Sequence, residues 1–78
     1  MAAEVRVLYF GAAQDAAGRT DEQLTAGDTA SLRNQLISKY PALNQIPFRM
    51  ALNKTLLKEE SALRKSDIIA ILPPFQGG

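Results

Sequence analysis

The residues best placed to do chemistry sit at the C-terminal end, Pro73-Pro74-Phe75-Gln76-Gly77-Gly78. Two prolines favour an extended, semi-rigid backbone. Six extended residues reach about 20 Å, at ~3.3 Å each. Gly77 and Gly78 carry no side chain, so a narrow tunnel could admit them and a reacting centre could approach the terminal carboxylate unhindered. A carboxylate resists nucleophiles until one of its oxygens becomes a leaving group. Adenylation by ATP achieves that, giving a mixed anhydride open to sulfur or an amine, and a thiocarboxylate made this way is a soft, strong nucleophile. A terminal Gly-Gly alone is weak evidence for such a role. It becomes specific when an apolar strand, two prolines and an aromatic residue precede it.

Elsewhere the chain offers little catalytic material. Its 78 residues contain no cysteine and no histidine. That leaves no thiolate, no disulfide, and no cysteine or histidine metal ligand. No metal site is expected, nor any stably bound cofactor. The absence of thiols also suits a carrier whose activated end must not be intercepted by its own side chains. Glu59-Glu60 is an adjacent carboxylate pair, and it reads as a solvated turn rather than an acid–base dyad. The chain is expected to have no internal active site.

Size and charge narrow the class further. A chain of 78 residues with 46% hydrophobic content makes one small globular domain. Net charge is +1, with five acids against Arg6 and Arg19 in residues 1–31 and seven bases against three acids in 32–78. This balance does not describe a nucleic-acid binder. The N-terminal segment lacks the apolar stretch of a signal peptide. The longest apolar run, Ile68 to Leu72, falls far short of the ~20 residues a membrane helix needs. A cytoplasmic protein that does not engage membranes is expected.

The elements that would position the tail can be read from periodicity. Val5 to Phe10 is a β-branched and aromatic run closed by Gly11, a strand. Ala12 to Ala17, stopped by Gly18, suits a short helix. Thr20 to Thr25 reads as a second strand despite Asp21 and Glu22. Asp28 or Thr29 can cap a helix from about Ala30 to Tyr40, whose Leu32, Leu36, Ile37 and Tyr40 share one face; Pro41 ends it. Arg49–Asn53 and Leu56-Leu57 form a hairpin about Asn53-Lys54, and Ser61–Lys65 is a connecting turn. Asp67 to Leu72 is the last strand, ended by Pro73-Pro74.

Strand, strand, helix, two short strands and a long one make the β-grasp pattern. An α+β, ubiquitin-like fold is expected, with a mixed sheet of about five strands, one main helix on one face, and the first and last strands as a central parallel pair. The domain is assigned to 1–74 and a flexible tail to 75–78. Both alternating sets of the last strand are apolar, more than one helix can cover. If Val7, Ile69 and Ile71 face the helix, Phe10 and Leu72, joined by Leu56, lie outside as a partner surface.

Val7-Leu8-Tyr9-Phe10, Leu52-Asn53-Lys54-Thr55-Leu56 and the ending Asp67 to Gly78 together resemble the small-subunit family of molybdopterin synthase. The Pro-Pro-x-x-Gly-Gly ending is the most specific match, and the resemblance spans essentially the whole chain. It implies that Gly78 is adenylated by a ubiquitin-activating-type enzyme using ATP, then converted to a thiocarboxylate. It also implies insertion of the tail into a large synthase subunit, where sulfur passes to cyclic pyranopterin monophosphate, two small subunits flanking a dimer of large ones. Pro73, Pro74, Phe75, Gln76 and Gly77 would line that insertion; Phe10, Leu56 and Leu72 match family positions that contact partners. Ser66 stands where the family commonly has glycine, Phe75 replaces a small aliphatic residue, and Gly11–Asp15 lacks a frequent Arg-Glu pair. Related possibilities are the sulfur carrier of thiamine biosynthesis, a ubiquitin-like modifier joined to lysines, and a plain interaction module.

Overall fold

Residues 2–73 are described in the computed structural model of the chain. Val5, Val7 and Tyr9 alternate with Glu4, Arg6 and Leu8 along β1 (Ala3–Tyr9), and the first three are buried. Gly18 then closes α1 (Ala12–Ala17) in the left-handed conformation, its N–H donating to the Gln14 carbonyl at 2.9 Å. β2 (Asp21–Ala26) runs back antiparallel to β1.

Asp28 caps α2 (Thr29–Lys39): its backbone is extended and its carboxylate accepts from the Ser31 N–H at 2.7 Å. Thr29, Leu32 and Leu36 form the buried stripe, while Ile37 and Tyr40 are only half-buried. Pro41 stops the helix, and the chain continues as a 3-10 turn, Pro41–Gln45, that drives Leu43 fully into the core. β3 (Arg49–Leu52) and β4 (Thr55–Leu56) form the expected hairpin, with Asn53 and Lys54 both at positive φ, 48° and 76°. β5 (Ile68–Leu72) completes a five-stranded sheet in the order β2-β1-β5-β3-β4.

β1 and β5 are parallel and adjacent, while the other pairings are antiparallel. This is the β-grasp arrangement. Central placement explains why these two strands are the most continuously apolar. Val7, Ile69 and Ile71 face α2 and are wholly buried. Leu32 and Leu36 of α2, Leu43, Leu63 and Met50 join them, and Ala13 and Ala17 bring α1 against the same core. Burial of each large aliphatic side chain contributes about 1.5–3 kcal/mol.

Candidate docking face and the root of the tail

Strand register fixes what lies on the face of the sheet away from α2. Leu8 pairs with Ala70, Ala70 with Ala51, and Ala51 with Leu56, so these four form one row across it. Ile68 lies opposite Arg6, and Leu72 opposite Arg49, in the flanking rows. Small side chains occupy the middle of the row and larger ones surround it. The result is an open trough of about 520 Å³ between Leu8, Phe10, Ile68 and Leu72, with Ala51 and Ala70 within it and Asn53 and Lys54 at one end.

No helix among the described residues covers this face. Among the described residues, Phe10 and Ile68 are the large apolar side chains most open to water, at 44% and 43% exposure. Apolar surface gathered in this way marks an interaction site more often than scattered exposed residues do. Phe10 and Leu72 therefore come together as expected, though Phe10 lies just past the end of β1 rather than within it. Leu56 is on the same face by register but at the β4 edge, outside the trough. Ile68, Ala70 and Ala51 extend the surface. Their signal was the last strand's double apolar alternation, which pointed to the face without ranking its members.

The hairpin end of the trough is held by side-chain bonds. The Asn53 side chain donates to the Asp67 carboxylate at 3.0 Å and accepts from the Ile68 N–H at 2.9 Å. The Arg64 N–H also donates to Asp67, at 2.8 Å. These donors, Asn53 first, hold the Asp67 carboxyl below the usual range. Ser66 before it has φ 71°, a left-handed conformation that favours glycine and explains why its family counterpart commonly is one.

At the other end, Leu72 leads into Pro73, which lies against Gly11. The Phe10 N–H donates to the Ile71 carbonyl at 3.1 Å, fastening the loop after β1 to the end of β5. Pro74, Phe75, Gln76, Gly77 and Gly78 lie outside the described residues, as does the assignment of a flexible tail.

Glu60, expected in a solvated turn, and Glu22, which weakened the reading of the second strand, both have structural employment. Glu60 accepts from Thr29 Oγ1 at 2.5 Å and pairs with Arg33, tying the segment before β5 to the start of α2. Glu22 faces the helix side of the sheet with its side chain only 5% exposed. Tyr9 donates to it at 2.6 Å and Lys39 at 2.7 Å; Tyr40 also donates, and Arg19 lies at 3.2 Å. Burial alone would raise its pKa, but the bonds from Lys39, Tyr40 and Tyr9 outweigh it and hold the carboxyl at about 2. The Tyr9 hydroxyl is pushed upward, first by burial and then by its bond to Glu22. Glu22 is an anchor joining β2, β1 and α2, with no open position for a substrate.

Residues 7–78 match the ThiS family. The chain belongs to that family. Among its ThiS-type relatives, the molybdopterin synthase sulfur carrier subunit of Chlamydomonas reinhardtii is 33% identical, with 96% of this chain and 99% of the relative covered. The solution structure of small archaeal modifier protein 1 from Methanosarcina acetivorans superposes with a TM-score of 0.86 at 28% identity, covering 100% of this chain and 99% of that one. A chain in the protein–protein complex of subunits 1 and 2 of molybdopterin-converting factor from Helicobacter pylori superposes at 0.72 and 28% identity, over 96% of this chain and 99% of that one. None of the helices among the described residues is long and apolar enough to cross a membrane.

Proposed function

We propose that this ThiS-family chain is the sulfur-carrier subunit of a molybdopterin synthase and works as a docked donor with no active site of its own. The observation that carries the reading is the trough at the root of the Pro-Pro-x-x-Gly-Gly segment: Leu72 lines it and is followed at once by Pro73. A partner seated on Phe10, Ile68 and Leu72 receives the tail at a fixed distance from its own surface. That partner is a large synthase subunit, in keeping with the two-subunit complex found for the Helicobacter pylori relative. A heterotetramer of two small and two large subunits is the assembly proposed.

In the reaction, the Gly78 carboxylate attacks the α-phosphate of ATP on a ubiquitin-activating-type enzyme, and pyrophosphate leaves. A reduced sulfur donor displaces AMP from the acyl adenylate, leaving the thiocarboxylate. Its sulfur then attacks an oxygen-bearing carbon of cyclic pyranopterin monophosphate in the large subunit, the carbon–sulfur bond forming as that carbon–oxygen bond breaks and the oxygen leaves. Water then cleaves the resulting thioester, leaving sulfur on the substrate and regenerating the Gly78 carboxylate. Slim Gly77 and Gly78 let the end of the chain thread both active sites, with Pro73, Pro74, Phe75 and Gln76 as the stalk. Cytoplasmic residence is part of the proposal.

Likeness to the archaeal modifier favours one second reading, conjugation of Gly78 to lysines of other proteins. Mass spectrometry of the chain isolated from its host separates the two. A form carrying one sulfur in place of oxygen supports the carrier, whereas branched conjugates support the modifier. Deleting Gly78 should abolish molybdopterin formation while leaving partner binding and folding intact. Molybdopterin made at the normal rate by the truncated chain refutes the carrier role.

A further inference from the structure

Gly11 combines φ 56° with ψ −132°, a pairing that suits the first central position of a type II′ turn and that L side chains rarely adopt. It also faces Pro73. A Cβ built on Gly11 would lie 2.8 Å from Pro73 Cγ, well inside the ~3.5–4.0 Å at which two carbons attract. The loop cannot easily yield. On one side the Phe10 N–H is bonded to Ile71; on the other the Gly11 carbonyl accepts from Gln14 at 3.0 Å as α1 begins. The proline ring rests where a side chain would otherwise be.

This contact acts on the first residue of the stalk. Pro73 has its φ set by its ring, and the proline that follows disfavours helical ψ. How the ring sits against the domain is set where it meets Gly11. Phe10, next in sequence, belongs to the docking trough, so the surface that locates the partner and the contact that aims the tail are consecutive residues. Aim matters because misplacement of a reacting group by ~1 Å can reduce a rate by 10²-fold.

We propose that Gly11 is a positioning residue for sulfur transfer, its absent side chain forming the seat that aims the Pro73-Pro74 stalk from the docking face. The proposal rests on the carrier reading above. The test uses the full chain loaded as its thiocarboxylate, the cognate large subunit and cyclic pyranopterin monophosphate in single-turnover reactions, with Gly11→Ala and Pro73→Ala beside the wild type. Gly11→Ala fills the seat; Pro73→Ala empties it without straining the loop, and so reports even if the first variant folds poorly. The rate at saturating large subunit should fall roughly tenfold or more in each folded variant with the circular dichroism unchanged, while the dissociation constant of Gly11→Ala for the large subunit stays within about threefold. Wild-type rates at saturation in both variants, or losses traced wholly to weaker binding, overturn the seat and leave the carrier intact. A loaded wild-type chain that transfers no sulfur overturns both.

Discussion

Glu22 offers the sharpest quantitative test of the fold. Glu22→Gln keeps the shape of the side chain and removes its charge. The carboxyl is held at about 2 against an ordinary value of 4.5, a difference of roughly 2.5 units, or ~3 kcal/mol at ~1.36 kcal/mol per unit. A domain of this length has about 4–12 kcal/mol of total stability, so one side chain carries a large share. The sign follows from the direction of the shift. Because the folded state binds this proton less readily than the unfolded state, the contribution is complete above about pH 5 and is lost as pH falls from 4.5 toward 2. Urea unfolding of both proteins at pH 7 and pH 2.5 measures it. The wild type should exceed the glutamine variant by ~3 kcal/mol at pH 7, and the gap should narrow by roughly 2–3 kcal/mol at the lower pH. Asp28, Glu60 and Asp67 are also held low, but both proteins share them, so they cancel in the difference. A gap that stays constant across the range would falsify the claim that the Glu22 charge, rather than its shape, ties β2 to α2.

Two further perturbations separate docking from folding. Ala70→Leu fills the trough from its middle without touching the α2 side of the sheet; calorimetry against the large subunit should show affinity reduced roughly tenfold or more, with stability changed by less than about 0.5 kcal/mol in urea. Unchanged affinity would remove the trough from the interface. Asp28→Ala takes the cap from α2 and should lower stability by about 1 kcal/mol while leaving affinity for the large subunit as it was.

The elements with strong periodicity or clear punctuation were readable in advance. Gly18 and Pro41 end α1 and α2 where backbone geometry requires, and the central parallel pair follows from the two most apolar strands. The outer surface was legible because one helix cannot cover both alternating sets of β5. What escaped was long-range. Leu43 looked like part of a loop, yet the 3-10 turn after Pro41 buries it completely; Leu63 is likewise buried from within an apparent connecting turn. Glu22 seemed to weaken the β2 assignment because an isolated carboxylate belongs in water. Its burial depends on Tyr9, Lys39 and Tyr40, whose polar ends meet only after β1, β2 and α2 have packed. The one local hint was its alternation with Leu24 and Ala26. Gly11 read as the close of a strand, and nothing nearby in sequence announces Pro73 as its neighbour.

The strand that launches the tail is also the one least able to yield. β5 is laddered to β1 over Arg6–Tyr9 and to β3 over Arg49–Leu52, so displacing it means breaking hydrogen bonds on both sides at once. An edge strand would have only one such ladder, and a pull on its end could peel it away. Ile69 and Ile71 fasten β5 to the core, while Ile68, Ala70 and Leu72 line the open trough on its other face. On the proposed reading, a partner seated on that face would grip the strand that leads into the tail, and the stalk would begin at the next residue, Pro73, which lies against Gly11. For that reason the identity of residue 11 should matter to a reaction proposed to take place at residue 78.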